Sequence, residues 1–494
     1  MRSRRLITLC ASASVFLIIL LTGPPSFDAT DGAEFAVCGS ELQIAHAPGY
    51  PLFLMLVRLS SMVFSPVYGH LRLLNCFIGA AATAACIAAF RKSDIGFYPA
   101  LAGSILFLTS ASVMSQFNSL EIYPLAILLV LTAIALKNSP LSPYASGMAL
   151  FGGHPISMLS SPLFFSLKKR WPLILTFLIP ATLYLYIPIR SGASRIAHYG
   201  HPNSLETLIS YFAMYSGRLN FPSFLRLFRA IGFIGIPGGA VFLLLGAAGG
   251  KFNTKRDLPV ILALIFLASY ELPDPAGQLW ILLLPLSLRC SAGIQFLAGK
   301  ASIYRIITAV LVLTAAVSGI AGADRTDDDI AMRWITDTMN SLPANSIYRP
   351  VAHDTYYAAY AVNTLEFRTD IVLSDPFGNY FEFSPQGPAP PMVGEKTVHI
   401  SRAWNRADSF SLQGLIFSPK ALAESSAGWD QMAIFEFQGY SPDPMAMDIV
   451  AEAWVRRMIQ EEDPVLIDSF YKRAMEYSAT PITRRRIENI REIF

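Results

Sequence analysis

Residues 46–53 read HAPGYPLF. A helix would not choose Pro48-Gly49-Tyr50-Pro51, because proline gives up a backbone donor and restricts the residue before it. Yet this segment lies between two apolar stretches of the kind that cross bilayers, 6–22 and 71–90. Irregular backbone is tolerated at membrane depth only where protein or a water-filled cavity receives it. The stretch therefore reads as a rigid, structured loop in a membrane protein, and the rest of the chain can be laid out around it.

Of 494 residues, 53% are hydrophobic and only 15% charged, with a mean hydropathy of +0.44. Soluble domains carry about a quarter charged residues, so the chain reads as a polytopic α-helical membrane protein. A net charge of +3 gives no basis for a nucleic-acid partner. Charges are thin through 6–321 and ordinary afterwards. This places a boundary near Gly322, with a membrane domain over 1–322 and a soluble domain over 323–494 that is large enough for a core of its own. Five cysteines, at 10, 38, 76, 86 and 290, form neither a disulfide framework nor a zinc spacing and read as small core residues, four in apolar stretches and one in a loop.

A spanning helix needs about 20 apolar residues. Candidate stretches are 6–22, 71–90, 97–114, 120–136, 171–188, 228–249, 258–270, 278–298 and 302–321, for about 9–11 crossings. The first resembles a signal peptide, but it is long for one and no small-x-small site follows, so it reads as a retained helix. The short stretch 258–270 is expected to end in a non-helical ELPDP. Arg2, Arg4, Arg5, Arg91, Lys92, Lys168, Lys169, Arg170 and the 251–256 loop fall on one side, the cytoplasmic one by the positive-inside rule. Residues 141–166 must then cross twice or not at all, as two short helices around Gly152-Gly153-His154-Pro155. The first outer loop, 23–70, is long. Within it, 52–66 has helical spacing with Arg58 and Ser60 opposite an apolar face, and is too short to span, so it reads as an interfacial helix. The tail after Gly322 falls outside the cytoplasm and alternates strand and helix signals, as a small mixed sheet would. Its last fifty residues, from Asp448, read as charged helix.

Several residues carry chemistry. Asp28, Asp31 and Glu34 in the outer loop can act as a general base or hold a divalent cation, or can be solvated turn acids. Glu121 is either a helix start favoured by the macrodipole or a carboxylate at a cavity mouth. Arg190 either snorkels or grips a phosphate with its guanidinium fork. His198 and His201 have helical i,i+3 spacing, but Gly200 and Pro202 argue for a loop, and no third ligand completes a metal site. His46 and His154 are loop caps or pocket residues, while Arg289 and Arg305 face the bundle interior or the cytoplasmic side.

Taken together, these stretches resemble the transmembrane protein O-mannosyltransferase-like family, long known as a domain of unknown function and similar to GT-C glycosyltransferases. The resemblance rests on D31-GAEF, H46-APGYPLF, S115-QFNSLE121-I-Y123, ALFGGH154, YIPIR190, H353-DTYYAAY360 and F367-RTDIVLSD. It runs in order from residue 31 to about 380, with Ala47 where the family has proline and H198-YGHP where it has a tryptophan motif. It implies a GT-C-like helical membrane domain followed by an extracytoplasmic α/β domain, in a multi-pass protein of a bacterial inner membrane or its equivalent. The implied activity moves a sugar, mannose by resemblance, from a polyprenyl-phosphate donor to a protein or glycan hydroxyl. Asp31 and Glu34 would be the catalytic acids. His46, Tyr50, Glu121, Tyr123, His154 and Arg190 would bind donor or acceptor. No metal ligand set is assigned; a divalent cation is the one cofactor the acidic loop could hold. HAPGYPLF would be the rigid floor that holds Asp31 and Glu34 over the cavity. The competing classes are a transporter or lipid carrier and an assembly factor with a degenerate site. No internal repeat, the frequent transporter signature, is visible.

Overall fold

The structure is a computed structural model. It describes residues 2–165, 178–191, 202–213, 236–250, 253–270, 276–351, 353–374, 396–401, 410–413, 415–419, 429–438 and 443–491, with a few isolated positions between them.

The N-terminal half is helical. Helix α1 (Arg2–Thr22) packs on α5 (Leu73–Arg91), which follows a single turn, α4 (Tyr68–Leu71). Among the described residues, Arg2–Thr22, Tyr68–Arg91, Trp280–Ala298 and Ser302–Gly322 are long and apolar enough to cross a membrane. The shape is that of a multi-pass membrane protein, with large apolar side chains such as Leu6, Leu9, Leu17 and Leu21 left outward on α1.

The expected span 97–114 is corrected. It breaks into α6 (Phe97–Leu108) and α7 (Ala111–Asn118), bent by 67°. The break is local chemistry: the Ser110 hydroxyl donates to the Phe107 carbonyl, while Ser110 itself is extended and starts the next helix. Gly319 of the last spanning helix lies against this break, where an added Cβ would sit 1.9 Å from the Thr109 carbonyl oxygen. Helix α8 (Tyr123–Ala135) follows, then α9 (Ser142–Phe151) and a 3-10 helix (Pro155–Leu163). These last two are the pair of short helices expected around His154. The Lys168–Arg170 side of that segment and the ELPDP stretch at 271–275 lie outside the described residues.

The long first loop, 23–70, is built from α2 (Gly32–Ser40) and α3 (Pro51–Val63). Helix α3 buries Phe53, Leu54 and Val57 and turns Met55, Leu59, Met62 and Val63 outward, as an interfacial helix would. Arg58, expected on the polar outer face, instead donates to the Ser40 carbonyl, and Ser60 is buried. Cys10 is exposed on α1, unlike the four other cysteines, and Cys38 lies within α2 rather than in a loop.

After Gly322 come the helix Ile330–Asn340 and a small mixed sheet. Its order is β2 (Val372–Leu373), β1 (Ile347–Arg349), β4 (Lys396–Ile400), β6 (Ile416–Pro419), β5 (Phe410–Gln413), with β3 (Met392–Val393) pairing β4. Strand β1 runs parallel to β2 and β4, and the other pairs are antiparallel. Helices Pro444–Ile459, Pro464–Tyr477 and Pro481–Arg491 close the chain. One continuous set of buried apolar side chains reaches from Val15 in α1 to Ile487 in the last of these helices. The tail is thus packed onto the membrane part. Arg325 N donates to the Thr22 carbonyl at 2.8 Å, and the Asn118 amide donates to Thr22 at 3.2 Å and to Ala323 at 2.5 Å. The end of α1, the end of α7 and the start of the tail therefore share one face.

Candidate active site

The HAPGYPLF segment folds as a tight corner. Ala47–Pro48 is cis, Gly49 has φ +86° and Tyr50 has φ +44°. A side chain at Gly49 would strike the Tyr211 hydroxyl, so the position requires glycine on both counts. Tyr50, left-handed without being glycine, costs about 1–3 kcal/mol of local strain, and Pro51 then starts α3 at its first position. The corner is held from outside. Tyr211 donates to the Ala45 carbonyl, Tyr186 to Gln43, and Arg190 through Nε to Leu42 at 2.7 Å and through Nη2 to Glu41 at 3.3 Å. Two of the three nitrogens of the expected phosphate grip are thus engaged in holding the loop.

Inside the corner, Glu34 reaches from α2 and takes His46 at two points. Its Oε1 accepts the His46 backbone N–H, and its Oε2 lies 2.6 Å from the ring Nδ1. The other ring nitrogen, Nε2, lies 3.7 Å from Asp31 Oδ2 and 3.4 Å from the Tyr50 hydroxyl. Burial by itself would lower the His46 pKa. The carboxylates of Glu34 and then Asp31 overcome that and raise it to about 9, so the ring is an imidazolium at neutral pH. Such a raised value stabilises the fold below about pH 6.5 and loses that contribution as pH climbs through 9.

The two acids expected to act together are not alike. The Glu34 side chain is fully buried, whereas that of Asp31 is 35% exposed. Asp31 is the N-cap residue of α2, yet its carboxylate makes no capping hydrogen bond. Of the two, it is the one open to solvent. Glu34 fixes the histidine.

Three further expected residues gather beside this pair. The His154 ring stacks on Tyr50 at 5.9 Å and tilts against Tyr123 at 5.1 Å. Its Nδ1 accepts the Ile156 backbone N–H at 3.1 Å, which leaves Nε2 to carry the proton and fixes a neutral donor. Glu121 sits in the turn just ahead of α8, where its Oε1 receives the Thr30 hydroxyl at 2.8 Å. His198 and His201 lie outside the described residues.

Sequence reasoning named Asp28 as a possible base or cation-holding acid but missed the partners that form a shell behind Asp31. Asp28 is fully buried and pairs with Arg325 at 2.5 Å. Tyr357 donates to the Ala29 carbonyl at 2.7 Å, and the Tyr68 N–H donates to the Tyr360 hydroxyl. The signal that could have found Arg325 is a lone cation in the otherwise acidic stretch 324–329.

Asp31, Glu34 and His46 each offer one ligand atom, all within 4.8 Å of one another. Oxygen and imidazole ligands suit a divalent cation. Because Glu34 already engages His46 with both oxygens, the readier contacts are Asp31 and, only after loss of its proton, His46 Nε2.

Comparison with known proteins follows the same lines. The family model for the N-terminal domain of protein O-mannosyl-transferase TMEM260 matches residues 31–138, the stretch from Asp31 through α8. Mouse (Mus musculus) protein O-mannosyl-transferase TMEM260 is 28% identical over 229 residues, covering 40% of this chain and 33% of the mouse protein. The chain thus spans about a third of the length of that curated relative. Among solved structures, ArnT from Cupriavidus metallidurans bound to undecaprenyl phosphate superposes with a TM-score of 0.53 at 13% identity, covering 82% of this chain and 95% of ArnT. Apo ArnT gives 0.50 at 13% identity, over 75% and 85%. At this identity the likeness is one of fold. The GT-C fold and the family resemblance read from the sequence are borne out.

Proposed function

We propose that this chain is a membrane glycosyltransferase that takes a sugar from a polyprenyl phosphate and transfers it to an acceptor hydroxyl outside the cytoplasm. The observation that carries the reading is the pair of unlike acids: a sealed Glu34 that fixes His46, and a half-open Asp31 within 3.7 Å of the same ring. The fold shared with ArnT and the match to a protein O-mannosyl-transferase domain over residues 31–138 support it. Mannose as the sugar, and a protein or glycan as the acceptor, follow from that relative.

Asp31 acts as the general base. It accepts the proton of the acceptor hydroxyl as that oxygen attacks the anomeric carbon, and the bond from that carbon to the phosphate oxygen breaks. The electron pair leaves on the phosphate, and polyprenyl phosphate departs. His46, charged and fixed from behind by Glu34, offsets the negative charge that gathers beside Asp31. Tyr50, Tyr123 and His154 offer ring faces and one N–H to the sugar, with Glu121 buried behind Thr30. A divalent cation held by Asp31, and by His46 only after loss of its Nε2 proton, would supply Lewis-acid stabilisation of the leaving phosphate in place of the imidazolium. The tail and the first loop lie on one face; the basic segments, by the positive-inside rule, favour the extracytoplasmic side for that face.

The test is transfer from radiolabelled polyprenyl-phosphate mannose into membrane material. A positioned base contributes roughly 10²–10⁴-fold, so Asp31→Asn loses that factor while accumulating normally in the membrane. Wild-type transfer by Asp31→Asn would sink the assignment. Silence of the wild type across a panel of polyprenyl-linked sugars would sink the enzyme reading.

A further inference from the structure

The carboxylate of Asp31 has no cap bond to its own helix, so its position is set by the backbone that leads into it. That backbone is held from the far end of the chain. The Phe27 ring stacks on Tyr357 at 5.2 Å and meets Tyr360 edge-on at 5.1 Å. The Asp28 carboxylate pairs with Arg325, and the Ala29 carbonyl accepts the Tyr357 hydroxyl. The Thr30 hydroxyl is held instead by Asp28 and Glu121, and the Phe27 ring also meets Tyr68 edge-on.

We infer that Arg325 and Tyr357 are positioning residues for Asp31: the segment after the last spanning helix completes the active loop as well as covering it. The inference rests on the transferase reading above. Two features favour positioning over simple packing. Tyr357 reaches a main-chain carbonyl, which fixes the orientation of the peptide two residues before the base. A buried ion pair is also weak evidence for stability, because well-packed apolar residues often replace one without loss. What the Asp28–Arg325 pair provides that an apolar contact would not is a single register for the loop. A misplacement of about 1 Å costs on the order of 10²-fold in rate, and Asp31 is one Cα step, about 3.8 Å, beyond Thr30.

The experiment uses the full chain in membranes, with radiolabelled polyprenyl-phosphate mannose as the probe. Tyr357→Phe keeps the ring on Phe27 and removes only the hydroxyl. It is expected to lower kcat about 10-fold, with the KM for the donor within about twofold of wild type and normal accumulation. Arg325→Met is expected to lower kcat about 100-fold, and Arg325→Lys to recover part of that. A purely structural role would reduce yield and leave kcat per folded molecule unchanged; wild-type kcat in Tyr357→Phe overturns the inference, even where Arg325→Met fails to accumulate. A second readout is independent of activity. Amide hydrogen exchange is expected to quicken over residues 28–34 in Tyr357→Phe and nowhere else in the first loop. If the wild type transfers no sugar, the function reading fails and this readout alone decides: unchanged exchange over 28–34 overturns the positioning role.

Discussion

Two regions of this protein gather charge at the edge of the apolar bundle, and they do it differently. At Asp257, one carboxylate meets two guanidiniums. Arg289 Nη1 lies 2.9 Å away and Arg256 Nε 3.1 Å, while the Asn253 N–H occupies the second oxygen. Arg289 completes its own set on the Gly246 and Gly250 carbonyls. The cluster carries one positive charge in excess and ties together the helices Ile236–Ala247, Thr254–Ser269 and Trp280–Ala298. In the loop 23–70 the excess is negative. Arg325 answers Asp28 and His46 answers Glu34, and Asp31 is left with only a long second claim on His46. A carboxylate shared between two cations holds helices together. A surplus carboxylate, half open to solvent and backed by a fixed cation, is what a site for proton transfer needs.

The comparison can be broken at several points. The largest effect is expected at Asp31, where Asn costs transfer and spares stability, because a partly exposed carboxylate contributes little to the fold. Glu34→Gln separates the two acids. It leaves a buried imidazolium without its counter-charge, so both transfer and stability fall, the latter by about 3–5 kcal/mol, read as a shift in Tm in detergent. A Glu34→Gln protein with wild-type Tm would show that His46 is not charged behind Asp31.

Next comes Asp443, a further buried acid that feels Arg325, Asp28 and Asp328. Burial pushes its carboxyl up to about 7, with Arg325 opposing and Asp28 and Asp328 adding to the rise. Its folded pKa lies above the unfolded value of about 3.9, so the penalty falls on the ionised form. The cost is absent below about pH 4, grows between 4 and 7, and is complete above 7. Stability should therefore fall by about 2–3 kcal/mol from pH 5 to pH 8 on this account. Asp443→Asn keeps an acceptor for the Met445 N–H that caps its helix and should flatten that slope. An unchanged slope of Tm against pH would refute this account of Asp443. The smallest effect is expected at Asp257→Asn, which should lower stability by about 1–2 kcal/mol and leave transfer untouched. Loss of transfer there with unaltered Tm would erase the distinction between the two regions.

The helical membrane architecture, the short helix at 51–63 and the mixed sheet after Gly322 were legible in the sequence, as was the crowding of chemistry around Asp31, Glu34 and His46. Each has a local cause. Apolar run length marks a span, proline and glycine mark the corner, and alternation marks a strand. The break between α6 and α7 was not legible, because an apolar run continues through it and only the close approach of Gly319 to Thr109 makes the bend useful. Nor was the inequality of the two acids. Asp31 and Glu34 are three residues apart with similar side chains, and burial separates them.

The sequence by itself determined that this chain enters a membrane, where its rigid corner lies and which residue types meet there, because hydrophobic length and backbone restriction are properties of neighbouring residues. The tertiary structure alone decided which carboxylate is sealed and which is open, and that residues 325 and 357 hold the loop of residue 31. Asp28 and Arg325 are 297 positions apart, and Ala29 and Tyr357 328 apart. A pairing over such distances leaves no periodic trace in the chain, since its partner is chosen by packing and by the cost of burying a charge unanswered.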